Sequence, residues 1–243
     1  MTAPENAKQV HQTSILYDTC RIGELVPDNF PKGYTTLAAM AADDHVPFLD
    51  VRQSSEVGKS YTNITSKSKL PWPFYLESVG IRFFYPNPYN AGIVANADAA
   101  AKAFEEILPE HSWFEFGIRE DTWLIEKCSL LPPGYGPSGM AGYVNWQNNS
   151  FVSVESQGVA AFGNRFKFIN GVIPIPADTP IWGKLYFSQY AKTQILQRLQ
   201  LLPLDFHEGE DASGEDTTPN ELSITVTLRG TRAIQQAGEY FAS

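Results

Sequence analysis

The residues to weigh first for chemistry are four histidines, at 11, 45, 111 and 207, and no two of them are spaced as a metal-binding pair on one helix or strand. His207 adjoins Glu208, Glu210 and Asp211, the run that best combines oxygen ligands with an imidazole. A calcium loop needs oxygens at alternate positions around a fixed glycine. HEGEDASGED lacks that order, so a solvated acidic loop is expected there. Glu115 and Glu126 could pose as a carboxylate pair, which a glycosidase would need converging across about 5–9 Å of cleft. In FEF and IEK each alternates with apolar neighbours, the pattern of a strand's polar face.

Nucleophile and phosphate motifs fare no better. Ser138 sits in Gly-Pro-Ser-Gly at 136–139, without the G-x-S-x-G context or a helix to follow it. Gly134, Gly136 and Gly139 approximate G-x-G-x-x-G, but the pattern neither leaves a strand of a βαβ unit nor opens a helix, and Pro137 removes one donor. No catalytic, cofactor-binding or metal-binding residue is therefore assigned, and no cofactor. Aromatics are the other resource. Trp113 and Trp123 fall in adjacent strand candidates, and Trp72 and Trp182 in others. Filling the gap between two sheets is the expectation for most of them. A sugar-binding platform is the alternative, with Trp72, Tyr135 and Trp146 as loop-borne contacts.

The elements that would position these residues are mostly strands. Residues 165–188, RFKFINGVIPIPADTPIWGKLYFS, contain three strand-like runs. Asn170-Gly171 predicts a tight hairpin turn and Ala177-Asp178-Thr179-Pro180 a second turn, so an antiparallel meander is expected. Pro174 and Pro176 cannot donate ladder bonds, so their run belongs at a sheet edge, or its alternate N–H positions face away from the partner strand. Further strands are expected at 14–26, 45–52, 74–85, 113–118, 122–128, 151–155, 201–206 and 222–228, the last from the alternation in LSITVTL. Gly80 suggests a bulge in the 74–85 strand. Residues 1–12 read as irregular, 53–73 as a polar loop or weak hairpin, and 130–142 as a Pro/Gly-rich loop.

Helices are few and short. Residues 97–108 follow Asn96 as N-cap and end at Pro109, with Phe104, Ile107 and Leu108 on one face. Residues 189–200 follow Ser188 as cap, with Tyr190, Ile195, Leu196 and Leu199 on one side. Residues 30–44 fit either a short helix on Leu37, Met40 and Ala41 or a loop. Strands that do not alternate regularly with helices argue against a parallel α/β sheet. The fold expected is all-β, a jelly roll or related two-sheet sandwich with two or three short peripheral helices.

Composition bounds the partners. In 243 residues, 27 acidic against 18 basic side chains give a net charge of −9. That opposes direct nucleic-acid binding, which needs clustered Lys and Arg to displace counterions. It also opposes docking on an anionic membrane. No apolar run approaches the roughly 20 residues a spanning helix needs, and residues 1–12 lack the apolar core of a signal peptide. Cys20 and Cys128 are expected as free thiols, with one disulfide between them as the alternative.

Three stretches carry a resemblance. WFEFGIREDTWLIEKCSLLPPGYGPSG, FKFINGVIPIPADTPIWGKLYF and ITVTLRGTRAIQQ resemble a strand pair with its Leu-Pro-Gly-rich loop, the late meander and the closing strand of jelly-roll capsid proteins of tailless icosahedral bacteriophages. Together they cover about a third of the chain. The resemblance implies a structural subunit without catalytic residues, made in the host cytoplasm and located in the virion. It implies self-association into trimers or larger capsid assemblies alongside other virion proteins. It implies one jelly roll over 1–243, or two lobes at about 13–145 and 146–243; a count of about ten strands favours one, since two rolls need roughly sixteen. The acidic balance departs from capsids that hold the genome on basic arms.

Overall fold

The computed structural model describes residues 9–22, 33–50, 61–64, 69–84, 102–132, 143–145, 150–152, 166–168, 171–197 and 222–235. Within them the strands are β1 (Gln9–Ile22), β2 (Gly33–Tyr34), β3 (Val46–Phe48), β4 (Phe74–Phe84), β5 (Ser112–Ile118) and β6 (Asp121–Lys127). They continue with β7 (Tyr143–Asn145), β8 (Ser150–Val152), β9 (Phe166–Lys167), β10 (Ile173–Ile175), β11 (Ile181–Phe187) and β12 (Leu222–Gln235). One sheet runs β10-β4-β12-β1-β2, with β9 also on β4; the second runs β3-β11-β5-β6; β7 and β8 pair with each other. The chain is thus an all-β, two-sheet sandwich, as expected.

The long-range pairing is nested. β1 pairs with β12, β3 with β11, β4 with β9 and β10, and β5 with β6, all antiparallel. Successive pairs fall in alternate sheets. Four of these pairings join residues before 145 to residues after 146. One buried cluster fills the space between the sheets, taking Leu16, Ile81, Ile224 and Leu228 from one and Phe48, Phe114, Phe116 and Leu185 from the other. Phe48 and Phe114 meet edge-on at 6.2 Å, an arrangement aromatic quadrupoles favour.

Alternation explains most strand faces. In β11, Ile181, Gly183, Leu185 and Phe187 are buried while Trp182, Lys184 and Tyr186 are half-buried on the other side. β12 keeps the same period through Leu222, Ile224, Val226 and Leu228, then runs on through Gly230 to Gln235, so the residues after Gly230 continue the strand, one of the two courses open to them. β1 likewise begins at Gln9, inside the stretch expected to be irregular.

The meander is corrected. β9 and β10 do not form a hairpin with each other; both lie along the same edge of β4. Gly171 has φ +90° and its N–H reaches the Phe168 carbonyl, so a turn is there, but it only interrupts an edge. Residues 177–180 carry the chain from one sheet to the other, because β11 pairs with β3 and β5. Asp178 at φ 57° donates its N–H to the Leu70 carbonyl and fixes that crossing. The edge placement of Pro174 holds, since β10 is the outermost strand.

The bulge in β4 is not at Gly80, which pairs regularly with Thr227. Ser78 faces Arg229 while Leu76 faces Gly230, so Glu77 is the extra residue. Inward apolar residues run Phe74, Leu76, then Val79, Ile81 and Phe83. The three-residue step from 76 to 79 demands one added residue to keep both halves facing the core.

The helices differ from expectation at their edges. Helical backbone covers Lys102–Ile107 and Leu108–Glu110, so Pro109 does not close the helix but lies inside the helical segment, in the first turn of its short Leu108–Glu110 end. Phe104 and Leu108 are buried, Phe104 against Phe83 at 5.8 Å, while Ile107 is exposed. Ala191–Leu196 is capped as expected, Ser188 Oγ accepting from Ala191 N–H at 3.1 Å. Its Tyr190 points to solvent rather than to the apolar side that holds Ile195 and Leu196. Leu37–Ala42 settles as a helix, with Thr36 Oγ1 accepting from Ala39 N–H. β3 stops at Phe48, short of the predicted 52, where Leu49 adopts φ 65° and its N–H turns to the buried Asp18 carboxylate. The predicted strand at 201–206 and the loops at 133–142 and 207–220 lie outside the described residues.

Candidate interaction face

The outward side of the four-stranded sheet gathers most of the chemically distinctive side chains. Antiparallel partners directly opposite one another share a face. Tyr186 therefore stands beside Trp113, Lys184 beside Glu115, and Trp182 beside Gly117. On the next strand Lys127 is opposite Trp113 and Ile125 opposite Glu115. Three cross-strand rows of aromatic and charged groups result, backed by the core residues of the same strands.

Each row has a local reason. Gly117 has no side chain, and a Cβ there would lie 2.0 Å from the Trp182 indole, so the ring lies down across the glycine. Its Nε1–H donates to the Arg119 carbonyl at 2.9 Å, and Arg119, at φ 57° in the β5–β6 turn, is held by its own N–H to Pro180. The Lys184 ammonium stands 5.0 Å from the ring centroid, within cation–π range. Trp113 and Tyr186 stack with centroids 5.4 Å apart and planes 7° from parallel. His45 leans on Tyr186 at 5.5 Å. Burial, then the charge and hydrogen bond of Glu115, push the Tyr186 hydroxyl above the ordinary tyrosine value.

The edge strand β6 is more open. Trp123 is 49 % exposed and Ile125 62 %, and Leu130 follows just beyond, also exposed. Phe116 pairs with Leu124 and Gly117 with Thr122, so Trp123 is an extra residue on β6.

The expectation that tryptophans fill the inter-sheet space is overturned. None of Trp72, Trp113, Trp123 or Trp182 is in the buried core; phenylalanines at 48, 74, 83, 104, 114 and 116 fill it instead. Sequence reasoning missed the signal in IWGKLYF, where tryptophan and tyrosine share a parity with lysine. Trp72 packs on Phe74 at 5.8 Å, and Tyr135 and Trp146 lie outside the described residues.

Glu115 and Glu126 do not converge. Glu115 is opposite Ile125 on the outer face, whereas Glu126 is opposite buried Phe114 and so takes the other face of the sheet. The polar-face reading therefore holds for Glu115 and fails for Glu126. His45 and His111 sit against different tyrosines, Tyr186 and Tyr190, and His11 lies in β1. The His207 run and Gly134, Gly136, Ser138 and Gly139 lie outside the described residues. Among the described residues no group of three His, Cys, Asp or Glu is placed to hold a metal, and no helix is long and apolar enough to cross a membrane. Cys20 and Cys128 are both buried and not joined in a disulfide; burial pushes the Cys128 thiol up to about 12.

No family model, curated protein or solved structure matches the chain.

Proposed function

We propose that the chain is a structural subunit of an icosahedral virus shell, built as a single jelly roll. The observation that carries this reading is the nested pairing of β1·β12, β3·β11, β4·β10 and β5·β6 in alternate sheets. A jelly roll is one long antiparallel hairpin wrapped so that alternate pairs face each other as two Greek keys. Eight strands in that order account for all but three short ones, β2, β7 and β8, and for β9, which extends β10 along β4. Pairings that cross residues 145 and 146 favour one roll over two lobes.

The face described above supports self-association. Copies with a net charge of −9 repel one another, so their contacts must be made elsewhere than through charge. The outer face balances Lys127 and Lys184 against Glu115 and offers Trp123 and Ile125 for burial. Trimers or larger closed assemblies, in company with other virion proteins, are the expected form, and the genome is neutralised by something other than this subunit. Mass photometry and negative-stain microscopy across salt test the reading. Particles are expected, and more of them as salt screens the repulsion. A protein that stays monomeric at micromolar concentration in every salt would overturn it.

A second reading has its own observation. Trp182, laid flat across Gly117, would offer a sugar-stacking platform once the Lys184 ammonium that stands over its ring moves aside. A saturable change in tryptophan fluorescence with a neutral oligosaccharide, lost in Trp182→Ala, would favour a carbohydrate-binding module.

A further inference from the structure

We infer that β6 is the strand edge through which one copy of this chain adds to a second copy, antiparallel. An uncovered strand presents a row of N–H and C=O groups that templates pairing, and folded proteins guard such edges with proline, brevity, cover, charges or bulges. The other edges among the described residues are guarded. β3 has Pro47 as its middle residue, and β10 has Pro174 in its middle with Pro176 after it. β2 and β9 are two residues each, and β7 and β8 three each. β1 is covered beside Tyr17 and Thr19 by residues 61–63, and its preceding stretch, Gln12-Thr13-Ser14, is polar.

β6 is seven residues long, contains no proline or glycine, and among the described residues pairs on one side only. Two of its residues, Trp123 and Ile125, are large, apolar and exposed. Its guards are a bulge at Trp123 and the charges of Asp121, Glu126 and Lys127. Charge selects both occupant and direction. β6 begins with Asp121 and ends with Lys127. An antiparallel second copy sets the acidic end of each strand against the basic end of the other, whereas a parallel copy sets like against like. The apolar residues at 123 and 125 then meet across the new pair. The result is a two-fold contact that extends a four-stranded sheet into an eight-stranded one.

The inference rests on the assembly reading in that both require copies to associate, and the test separates them. Ile125→Lys puts a charge on an already exposed position and should weaken association about tenfold or more while leaving the thermal melt unchanged. Val172→Lys, at an exposed site on the other sheet's margin, should associate as wild type. An equimolar mixture of Trp123→Cys and Ile125→Cys proteins, treated with oxidised glutathione, should give a covalent heterodimer, because 123 of one copy faces 125 of the other and the native cysteines are buried. Wild-type-like assembly of Ile125→Lys with no covalent dimer from that mixture overturns the β6 contact and leaves the shell reading standing. Dimers that depend on Ile125 but never grow into closed particles support the contact and refute the shell.

Discussion

Replacing Gly230 with alanine should be among the most damaging single-methyl changes in the protein. Gly230 lies in β12 where the register with β4 shifts, opposite Leu76. An ideal Cβ there falls 2.0 Å from the Tyr75 carbonyl oxygen and 2.9 Å from Phe74 Cζ, far inside the 3.4 Å at which ordinary contact begins. The obstruction is backbone, and that backbone is held between β12 and β10. It cannot move without opening the central ladder of the larger sheet. Overpacking a well-filled site costs about 1–3 kcal/mol. The loss of chain freedom in the unfolded state returns only about 0.4–1 kcal/mol. With a ladder bond or two weakened as well, a net loss of about 3 kcal/mol is expected, a fall of roughly 6–12 °C in melting temperature for a chain this size. Gly117→Ala is the internal control. Its Cβ also meets an atom at 2.0 Å, but that atom belongs to the Trp182 side chain, which can lift into solvent. Losing the indole hydrogen bond to Arg119 and some packing should cost about 1 kcal/mol. Urea unfolding of the two variants against wild type measures the difference. A Gly230→Ala protein within about 0.5 kcal/mol of wild type, or more stable than Gly117→Ala, refutes the reasoning that backbone obstruction decides the cost.

Two other perturbations follow from the same geometry. Tyr186 should ionise above the ordinary tyrosine value of about 10, so its contribution to stability is complete below that pH and is lost as pH rises through the folded value. The difference in phenolate absorbance between wild type and Tyr186→Phe locates that step, and Glu115→Gln should move it towards lower pH. Asp18→Ala removes the acceptor for Leu49 N–H at a buried, left-handed turn and should cost about 2–3 kcal/mol in urea unfolding. Asp18→Asn keeps an oxygen there and should lose less; equal stabilities for all three proteins would contradict the role.

Strand existence was legible where one face is buried and the other solvated, because alternation writes that boundary into the chain. LSITVTL in β12 and WFEFGI in β5 are such cases. Partner choice was not legible. Thr19 and Thr225 touch through their hydroxyls at 3.0 Å across 206 positions, and nothing local in either residue announces the other. Turn residues say that the chain bends and not which sheet it enters next, which is why Asp178-Thr179-Pro180 passed for a hairpin. Bulges defeated the face assignments. The extra residue at Trp123 changes the parity of β6, and Glu126 lands on the side of Phe114 rather than of Glu115. Gly80 drew attention as the flexible residue, whereas the real mark was the odd spacing of Leu76 and Val79. The outer aromatic face was readable in principle from Trp182, Lys184 and Tyr186 standing at one parity.

The place of β12 has a consequence for biosynthesis. It lies between β4 and β1 in the larger sheet, yet it is the last described strand the ribosome delivers. All strands of the four-stranded sheet are in hand once residue 187 has been made, so that sheet can assemble on the nascent chain. The other sheet cannot. Leu76, Val79 and Ile81 of β4 and Leu16 and Cys20 of β1 must wait beside an open slot until residues 222–235 emerge. Closure of the sandwich is therefore a late event, and a chain that stops before residue 222 is a half-built molecule with the apolar faces of β4 and β1 left beside an open slot.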